Sequence, residues 1–183
     1  MATFHLNQPL ILLSLFTTTL FTLYPVSLTS TLHEQGTTNT THLHFYLHDK
    51  LSGSNPSAVR VAGLHPNANS LSFGDVIVID DPLTKEPDLN STLIGKAQGF
   101  YTHVSKEDLT LLMVVSLVFS EGRFNGSTLT VIGRNSVLEK VREFPIVGGS
   151  GAFRGARGWV LDQTYTADPR TGDGIFEFDV YVM

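Results

Sequence analysis

The sequence contains no cysteine among its 183 residues. A disulfide scaffold, a zinc–thiolate site and a thiol nucleophile are therefore excluded. Charged residues make up only 16% of the chain, and 12 Lys and Arg stand against 17 Asp and Glu, which gives a net charge of −5. We do not expect nucleic acid as a partner, because binding to phosphates needs a concentrated cationic surface. This length, with 42% apolar residues, indicates one globular domain.

The first thirty residues lack charge altogether: residues 1–30 contain no Asp, Glu, Lys or Arg. An apolar run extends from Leu10 to Tyr24, and Pro25 and small residues follow it. This pattern predicts a secretory signal peptide over residues 1–30 and a mature domain over 31–183. A transmembrane anchor is the alternative, but the threonines between Thr17 and Thr22 and the lack of a basic flank disfavour it. We expect an extracellular protein with no membrane contact after cleavage.

In a secreted protein, three Asn-x-Ser/Thr triplets become candidate glycosylation sites. They begin at Asn39, Asn90 and Asn125. Each is an acceptor sequence for an N-linked glycan, which requires an exposed turn. Such triplets also arise by chance in chains rich in Ser and Thr. We expect at least one glycan, and Asn125 is favoured because Gly126 marks a hairpin turn.

The chain after residue 40 is predicted to be all β. No segment repeats apolar residues at i, i+3, i+4 and i+7, whereas apolar and polar residues alternate between turn formers. The predicted strands are 41–49, 59–64, 73–79, 93–104, 111–119, 127–133, 152–165 and 174–182. The strand at 111–119 is almost wholly apolar, which is typical of a strand covered on both faces. About eight strands at this spacing favour an antiparallel β-barrel, able to hold one small ligand, over a sandwich.

The first predicted strand carries the densest set of candidate ligands: His42, His44, Tyr46 and His48 share one face. Several imidazoles on one face can bind a metal, and the spacing approaches the first cupin metal motif. Asp49 lies near the carboxylate position of that motif but has the opposite parity, and the second cupin motif has no counterpart. The favoured interpretation is a polar outer face without a metal ligand. A cupin-like metalloenzyme is the weaker alternative.

Asp49 lies on the same face of the predicted strand as Leu43, Phe45 and Leu47, because side chains alternate between the two faces. If that face lines the interior, burial raises the pKa of the Asp49 carboxyl, which suits proton donation or a hydrogen bond to a phenol. The alternative is that the strand has already ended and Asp49 opens the turn toward Lys50. The sequence leaves both interpretations open.

The glycine-rich stretch 148–151 is predicted to be a loop. It lacks the Lys-Ser/Thr ending of a phosphate-binding loop, and no helix pattern follows it. A serine nucleophile is equally unsupported, because the chain has no Gly-x-Ser-x-Gly elbow between a strand and a helix. We therefore expect neither phosphate binding nor serine hydrolysis here.

Five short motifs in register resemble the plant dirigent family. They are residues 44–49 (HFYLHD), 80–84 (DDPLT), 94–101 (IGKAQGFY), 119–127 (FSEGRFNGS) and 147–158 (VGGSGAFRGARG). Each is weak alone, but five in the same order are specific, and the resemblance runs from about His42 to the C-terminus.

The resemblance implies an eight-stranded antiparallel β-barrel of the allene oxide cyclase and dirigent-like kind, homotrimeric and secreted to the plant cell wall. It implies no cofactor and a lumen that binds phenylpropanoid-derived phenolics. Lignan-forming members hold two phenoxy radicals of a monolignol such as coniferyl alcohol and direct the stereochemistry of their coupling. The radicals come from a separate oxidase, a laccase or peroxidase. We expect this function first.

Carried over by position, the family's pocket Asp falls on Asp49, its Tyr on Tyr101 and its Arg on Arg142. Phe45, on the face of Asp49, is expected to contact the substrate. The second pocket Asp of lignan-forming members falls on Asn135, and an amide can neither ionise nor donate a carboxylic proton. The resemblance therefore carries an alternative: a pterocarpan synthase-like enzyme that dehydrates an isoflavanol through a quinone methide, with Asp49 as the general acid.

Overall fold

The computed structural model describes residues 40–64 and 71–183. The predicted signal peptide and the acceptor Asn39 lie outside these residues. The described chain forms nine strands: β1 (Thr41–Asp49), β2 (Ala58–Ala62), β3 (Val76–Thr84), β4 (Leu93–His103), β5 (Thr110–Phe119), β6 (Thr128–Ser136), β7 (Val141–Ser150), β8 (Gly158–Ala167) and β9 (Gly174–Val182). Two 3-10 turns, Gly122–Phe124 and Gly151–Phe153, join β5 to β6 and β7 to β8. Within the described residues, no helix has the length and hydrophobicity needed to span a membrane.

The nine strands form one antiparallel sheet in the order β1-β9-β8-β7-β6-β5-β4-β3-β2, and β1 pairs again with β3. The edge of β3 is shared: β2 pairs with its first part, where Ala58 lies opposite Ile79. β1 pairs with its second part, where Leu47 lies opposite Leu83. β1 and β2 therefore occupy one position around the circumference. The predicted eight-stranded antiparallel barrel is confirmed.

Two of the strand assignments from the sequence were wrong. β7 was missed, because the glycine-rich stretch that we interpreted as a loop forms its end, and Pro145 together with the inward Arg142 disguises the alternation. β3 does not end at Ile79 but continues to Thr84. Pro82 is tolerated inside it because it lies between the β2 and β1 partners of this edge, where the proline removes no ladder hydrogen bond.

The barrel interior is divided along its axis. One half is a packed apolar core, in which the Phe119 ring lies 5.4 Å from Phe153 and 6.2 Å from Phe45. Phe153 and Phe124 come from the two 3-10 turns and stack at 4.7 Å, which closes that end of the barrel. The other half holds the polar inward side chains, which come from β1, β2, β3, β4, β6, β7 and β8. Among the described residues, the cavity therefore lies toward the end opposite this aromatic cluster.

Candidate functional site

A cavity of about 140 Å³ occupies the polar half of the barrel. Its apolar walls come from Leu47, Ile79, Leu111, Met113, Phe176 and Phe178. Its polar groups are Asp49, Arg60, Asp81, Tyr101, Asn135, Arg142 and Asp162. The inward positions of β4 before Tyr101 are small, at Ala97 and Gly99. Gly99 has φ +156°, and a Cβ there would lie 2.1 Å from the Val114 carbonyl oxygen, so only glycine fits.

Asp49, Asp81 and Tyr101 form the first polar group of the cavity. The register that pairs Leu47 with Leu83 places Asp49 opposite Asp81 across β1 and β3. The Tyr101 hydroxyl donates a hydrogen bond to the Asp49 carboxylate. Asp49 is thus the last inward residue of β1, and the turn interpretation was wrong.

Both carboxyls of this group have a pKa above the ordinary value for Asp. Burial raises the pKa of Asp49, a nearby charge on Asp173 raises it further, and only the Tyr101 hydrogen bond opposes this. Burial raises the pKa of Asp81 as well, and the neighbouring Asp49 charge adds to the shift. Burial and the two carboxylates also raise the pKa of Tyr101, so its phenol stays protonated.

Arg142 and Asp162 form the second polar group, on the opposite wall. The Arg142 Nε donates to Asp162 Oδ2 at 3.0 Å, and Nη2 lies 2.8 Å from Oδ1. Nη1 donates to Thr164 Oγ1 at 2.8 Å. The guanidinium also lies 5.6 Å from the centroid of the Phe176 ring. Burial raises the pKa of Asp162 to about 6, although the Arg142 charge opposes this shift.

Asn135 completes the polar lining from β6. Its side chain is buried, and its Oδ1 has no hydrogen-bond partner among the described residues. An unpartnered buried acceptor is costly unless a donor arrives, so Asn135 is suited to accept a hydrogen bond from a bound hydroxyl.

The cavity brings together four of the five residues predicted from the sequence: Asp49, Tyr101, Asn135 and Arg142. Phe45 is not among them. It is 1% exposed and packs at 5.8 Å from Phe178 in the apolar core, deeper in the barrel than the cavity. A shared strand face therefore did not imply a shared site, because β1 runs through both halves of the interior.

Sequence reasoning missed Asp81 and Asp162. Parity was the available signal: Asp81 alternates with the inward Ile79 and Leu83, and Asp162 with the inward Val160. The strand predicted over 73–79 stopped short of Asp81, so this alternation was not followed to it.

The histidines of β1 lie on the outside of the barrel and have separate partners. His42 Nε2 lies 2.7 Å from Asp179 Oδ1, and His44 Nε2 lies 2.8 Å from Glu177 Oε1. His48 is buried beneath the β3–β4 turn, with Nε2 at 2.7 Å from Thr84 Oγ1. Within the described ranges, no three His, Asp or Glu residues lie close enough together to hold a metal ion.

The arrangement suits acid–base chemistry on an uncharged aromatic molecule. Carboxyls that keep a proton near neutral pH can act as general acids, and the apolar walls exclude water from a reactive intermediate. The fixed Arg142–Asp162 pair and Asn135 can orient phenolic oxygens at the other wall.

A family profile described as Dirigent-like protein matches residues 40–183. Pterocarpan synthase 1 of Glycyrrhiza echinata is 48% identical over 180 residues, which is 97% of this chain and 94% of the relative. Dirigent protein 1 of Arabidopsis thaliana is 47% identical over 143 residues, 78% of each chain. A solved structure of a pterocarpan synthase dirigent protein superposes with a TM-score of 0.75 at 51% identity, covering 78% of this chain and 83% of that one.

The raised pKa of Asp81 predicts how stability depends on pH. Above the ordinary pKa of 3.8, the unfolded chain releases this proton while the folded protein retains it, so the free energy of unfolding falls as the pH rises. One retained proton amounts to at most about 1.4 kcal/mol per pH unit. We expect Asp81→Asn to remove this slope between about pH 5 and 7 in urea unfolding.

The comparison is made as a difference from the wild type, because the lowered pKa of His48 acts in the opposite direction in both proteins. Asp80→Asn is the matched control: Asp80 is the preceding residue but is exposed, and hydrogen bonds from Lys96 and Gln98 lower its pKa. A stability difference between Asp81→Asn and wild type that does not change with pH would show that Asp81 is ionised in the fold.

Proposed function

The chain belongs to the dirigent-like protein family, and on that basis we propose that it is an isoflavanol dehydratase of the pterocarpan synthase type. The observation that carries this proposal is the pair of buried carboxyls, Asp49 and Asp81, side by side in a cavity that also has apolar walls. Similarity over almost the whole length to Pterocarpan synthase 1 supports it.

In the proposed reaction Asp49 gives its proton to the hydroxyl that leaves the substrate. The C–O bond breaks with both electrons on oxygen, water departs, and an O-protonated quinone methide remains. A second phenolic hydroxyl of the same molecule bonds to the methide carbon and closes the ring. Its proton returns to the carboxylate, so the net change is the loss of one water and no oxidant is consumed.

The remaining lining has a role at each stage. The carboxylate left on Asp49 stabilises the positive charge that develops as water departs. Phe176 and Phe178 cover the aromatic rings, and the closed apolar end of the barrel keeps bulk water from adding to the methide carbon. Arg142, held by Asp162, orients a phenolic oxygen at the opposite wall.

A second candidate is the guide for phenoxy-radical coupling that we expected first. Its support is the similarity to Dirigent protein 1 of Arabidopsis thaliana. An external laccase or peroxidase would then supply radicals of a monolignol. Asn135 weighs against it, because lignan-forming members have a carboxyl at this position and an amide cannot ionise.

One assay separates the two functions. With purified protein and an isoflavanol, and with no oxidant, we expect conversion to a pterocarpan with one enantiomer in excess. Chiral chromatography measures both the conversion and the enantiomeric excess. In a parallel reaction, the protein is added to coniferyl alcohol with a laccase. Conversion of isoflavanol no faster than in buffer would exclude the dehydratase, whereas an enantiomeric excess only in the laccase reaction would establish the guide.

We also propose that the protein self-associates as a homo-oligomer through the outer face of β2 to β6. Five apolar residues lie opposite one another across these strands, at Val59, Val78, Phe100, Val114 and Ile132. Of these, Val59 is 49% exposed and Phe100 38%. The almost wholly apolar sequence of β5 is typical of a strand covered on both faces. Among the described residues its outer face is covered only in part, with Leu112 exposed and Val114 and Val118 half-buried. A second copy of the chain supplies the cover, and a trimer is what the family resemblance implies.

A charge in this row should disrupt the assembly. We expect wild-type protein to have about three times the monomer mass by light scattering, and Phe100→Glu to be monomeric, since burial of an unpaired carboxylate is costly. Val141→Glu is the control, because Val141 is 42% exposed on the outer face of β7, away from the row. Equal masses for wild type and Phe100→Glu would show that this face is not the interface.

We further propose that the protein is secreted and glycosylated. Asn90 and Asn125 lie in exposed turns, as a glycan acceptor requires. For protein secreted from plant cells, we expect an intact mass that corresponds to a chain beginning near residue 30 plus N-glycans. Enzymatic removal of N-glycans should lower that mass. A mass equal to the unmodified full-length chain would refute both parts.

A further inference from the structure

We infer that Asp81 is the positioning residue for the acid: it shares a single proton with Asp49 and thereby keeps Asp49 able to donate. This inference rests on the proposed dehydratase for its kinetic consequences, but the sharing of the proton is a property of the protein alone. Asp49 remains the group that contacts the substrate, and Asp81 acts through it.

The unpartnered oxygens of the two residues carry the inference. Asp81 is fully buried, and neither of its carboxylate oxygens has a hydrogen-bond partner within the described chain; the same is true of Asp49 Oδ1. The nearby Ser57 hydroxyl interacts with Asp81, but it donates to the His48 carbonyl at 3.3 Å. Three buried acceptors without a donor are costly. One proton between two carboxyls converts two of these acceptors into a hydrogen-bonded pair.

The strand register makes the sharing possible. Asp49 lies opposite Asp81 where β1 and β3 close the barrel, so the two side chains enter the cavity side by side. Two carboxylates in such a position repel one another, and the pair retains a proton to a higher pH than either would alone. Burial raises the pKa of both carboxyls; the Asp49 charge adds to the shift at Asp81, and the Asp173 charge adds to the shift at Asp49.

None of the groups that face the pair from the surrounding strands displaces the shared proton. From β4, the Tyr101 phenol donates to Asp49 and stays protonated. From β2, Arg60 lines the same cavity but lies 3.5 Å from Asp75, whose charge offsets its own. Asp80, beside Asp81, and Asp173, beside Asp49, add negative charge that further favours the protonated pair.

Asp81 also helps the pair to recover its proton at the end of the reaction. When Asp49 has given its proton to departing water, both carboxyls are ionised and repel one another. The proton released by the ring-closing phenol therefore returns to the pair, which restores the starting state. No further acid is needed between turnovers.

The test is the pH dependence of kcat for isoflavanol dehydration by wild type, Asp81→Asn, Asp49→Asn and the exposed control Asp80→Asn. With Asp81→Asn, Asp49 loses the neighbouring charge and gives up its proton at lower pH. We expect the high-pH fall in rate to begin about one pH unit or more below that of wild type, with the rate near pH 5 largely retained. Asp49→Asn should lose roughly 10²–10⁴-fold at every pH. Asp80→Asn should move the profile far less than Asp81→Asn, because the Asp80 charge is exposed and is the smallest of the causes that raise the pKa of Asp81.

A rate lowered equally at all pH values in Asp81→Asn would show a merely structural role, and an unchanged profile would show that the proton is not shared. Infrared spectroscopy gives a second readout that needs no substrate. We expect the carbonyl stretch of a protonated carboxyl in wild-type protein at pH 7, its loss in Asp81→Asn and its retention in Asp80→Asn. If wild type shows this band but does not dehydrate isoflavanols, the proposed function fails and the shared proton stands; if the band is absent, the shared proton is refuted.

Discussion

The cost of burying carboxyl groups inside the barrel is the constraint on which the site depends. An ionised carboxylate inside a protein must be paired, hydrogen-bonded or neutralised. Asp162 meets this requirement with the guanidinium of Arg142, at 2.8 Å and 3.0 Å. Asp49 and Asp81 have no cation directly bonded to them among the described residues, and the Tyr101 hydroxyl serves Asp49 alone, so a retained proton is the remaining solution for the pair. The two walls thus carry acids of different character, one held as an ion pair and one available for proton transfer.

The closure of the barrel determines where those acids meet. β1 pairs with β9 along its whole length but with β3 at only two positions, next to the segment that β2 covers. This short contact removes the free edges of the sheet and places the last inward residue of β1 against the middle of β3. The same strand change accommodates Pro82 within β3. Fold and site therefore share one structural feature, the junction of β1, β2 and β3.

Stability and function are separated along the barrel axis. The aromatic cluster of Phe45, Phe119, Phe124 and Phe153 fills and closes one end. Burial of these aromatic rings stabilises strands whose opposite ends carry charged inward residues. The cavity end can consequently retain unpartnered polar atoms, such as Asn135 Oδ1, which would be a poor choice in a core but suit a binding site.

The amino-acid sequence by itself determined the strand-based fold, the inward parity of Asp49 and the family motifs, because alternation at period 2 and turn residues are local properties. It also contained the residues Tyr101, Asn135 and Arg142, through their positions in those motifs. Only the tertiary structure decided that Asp81 lies opposite Asp49, that Asp162 neutralises Arg142 and that Phe45 belongs to the core. These depend on which strands become neighbours and on depth along the barrel. Both are set by pairing between segments far apart in the chain, and the local alternation of residues does not encode them.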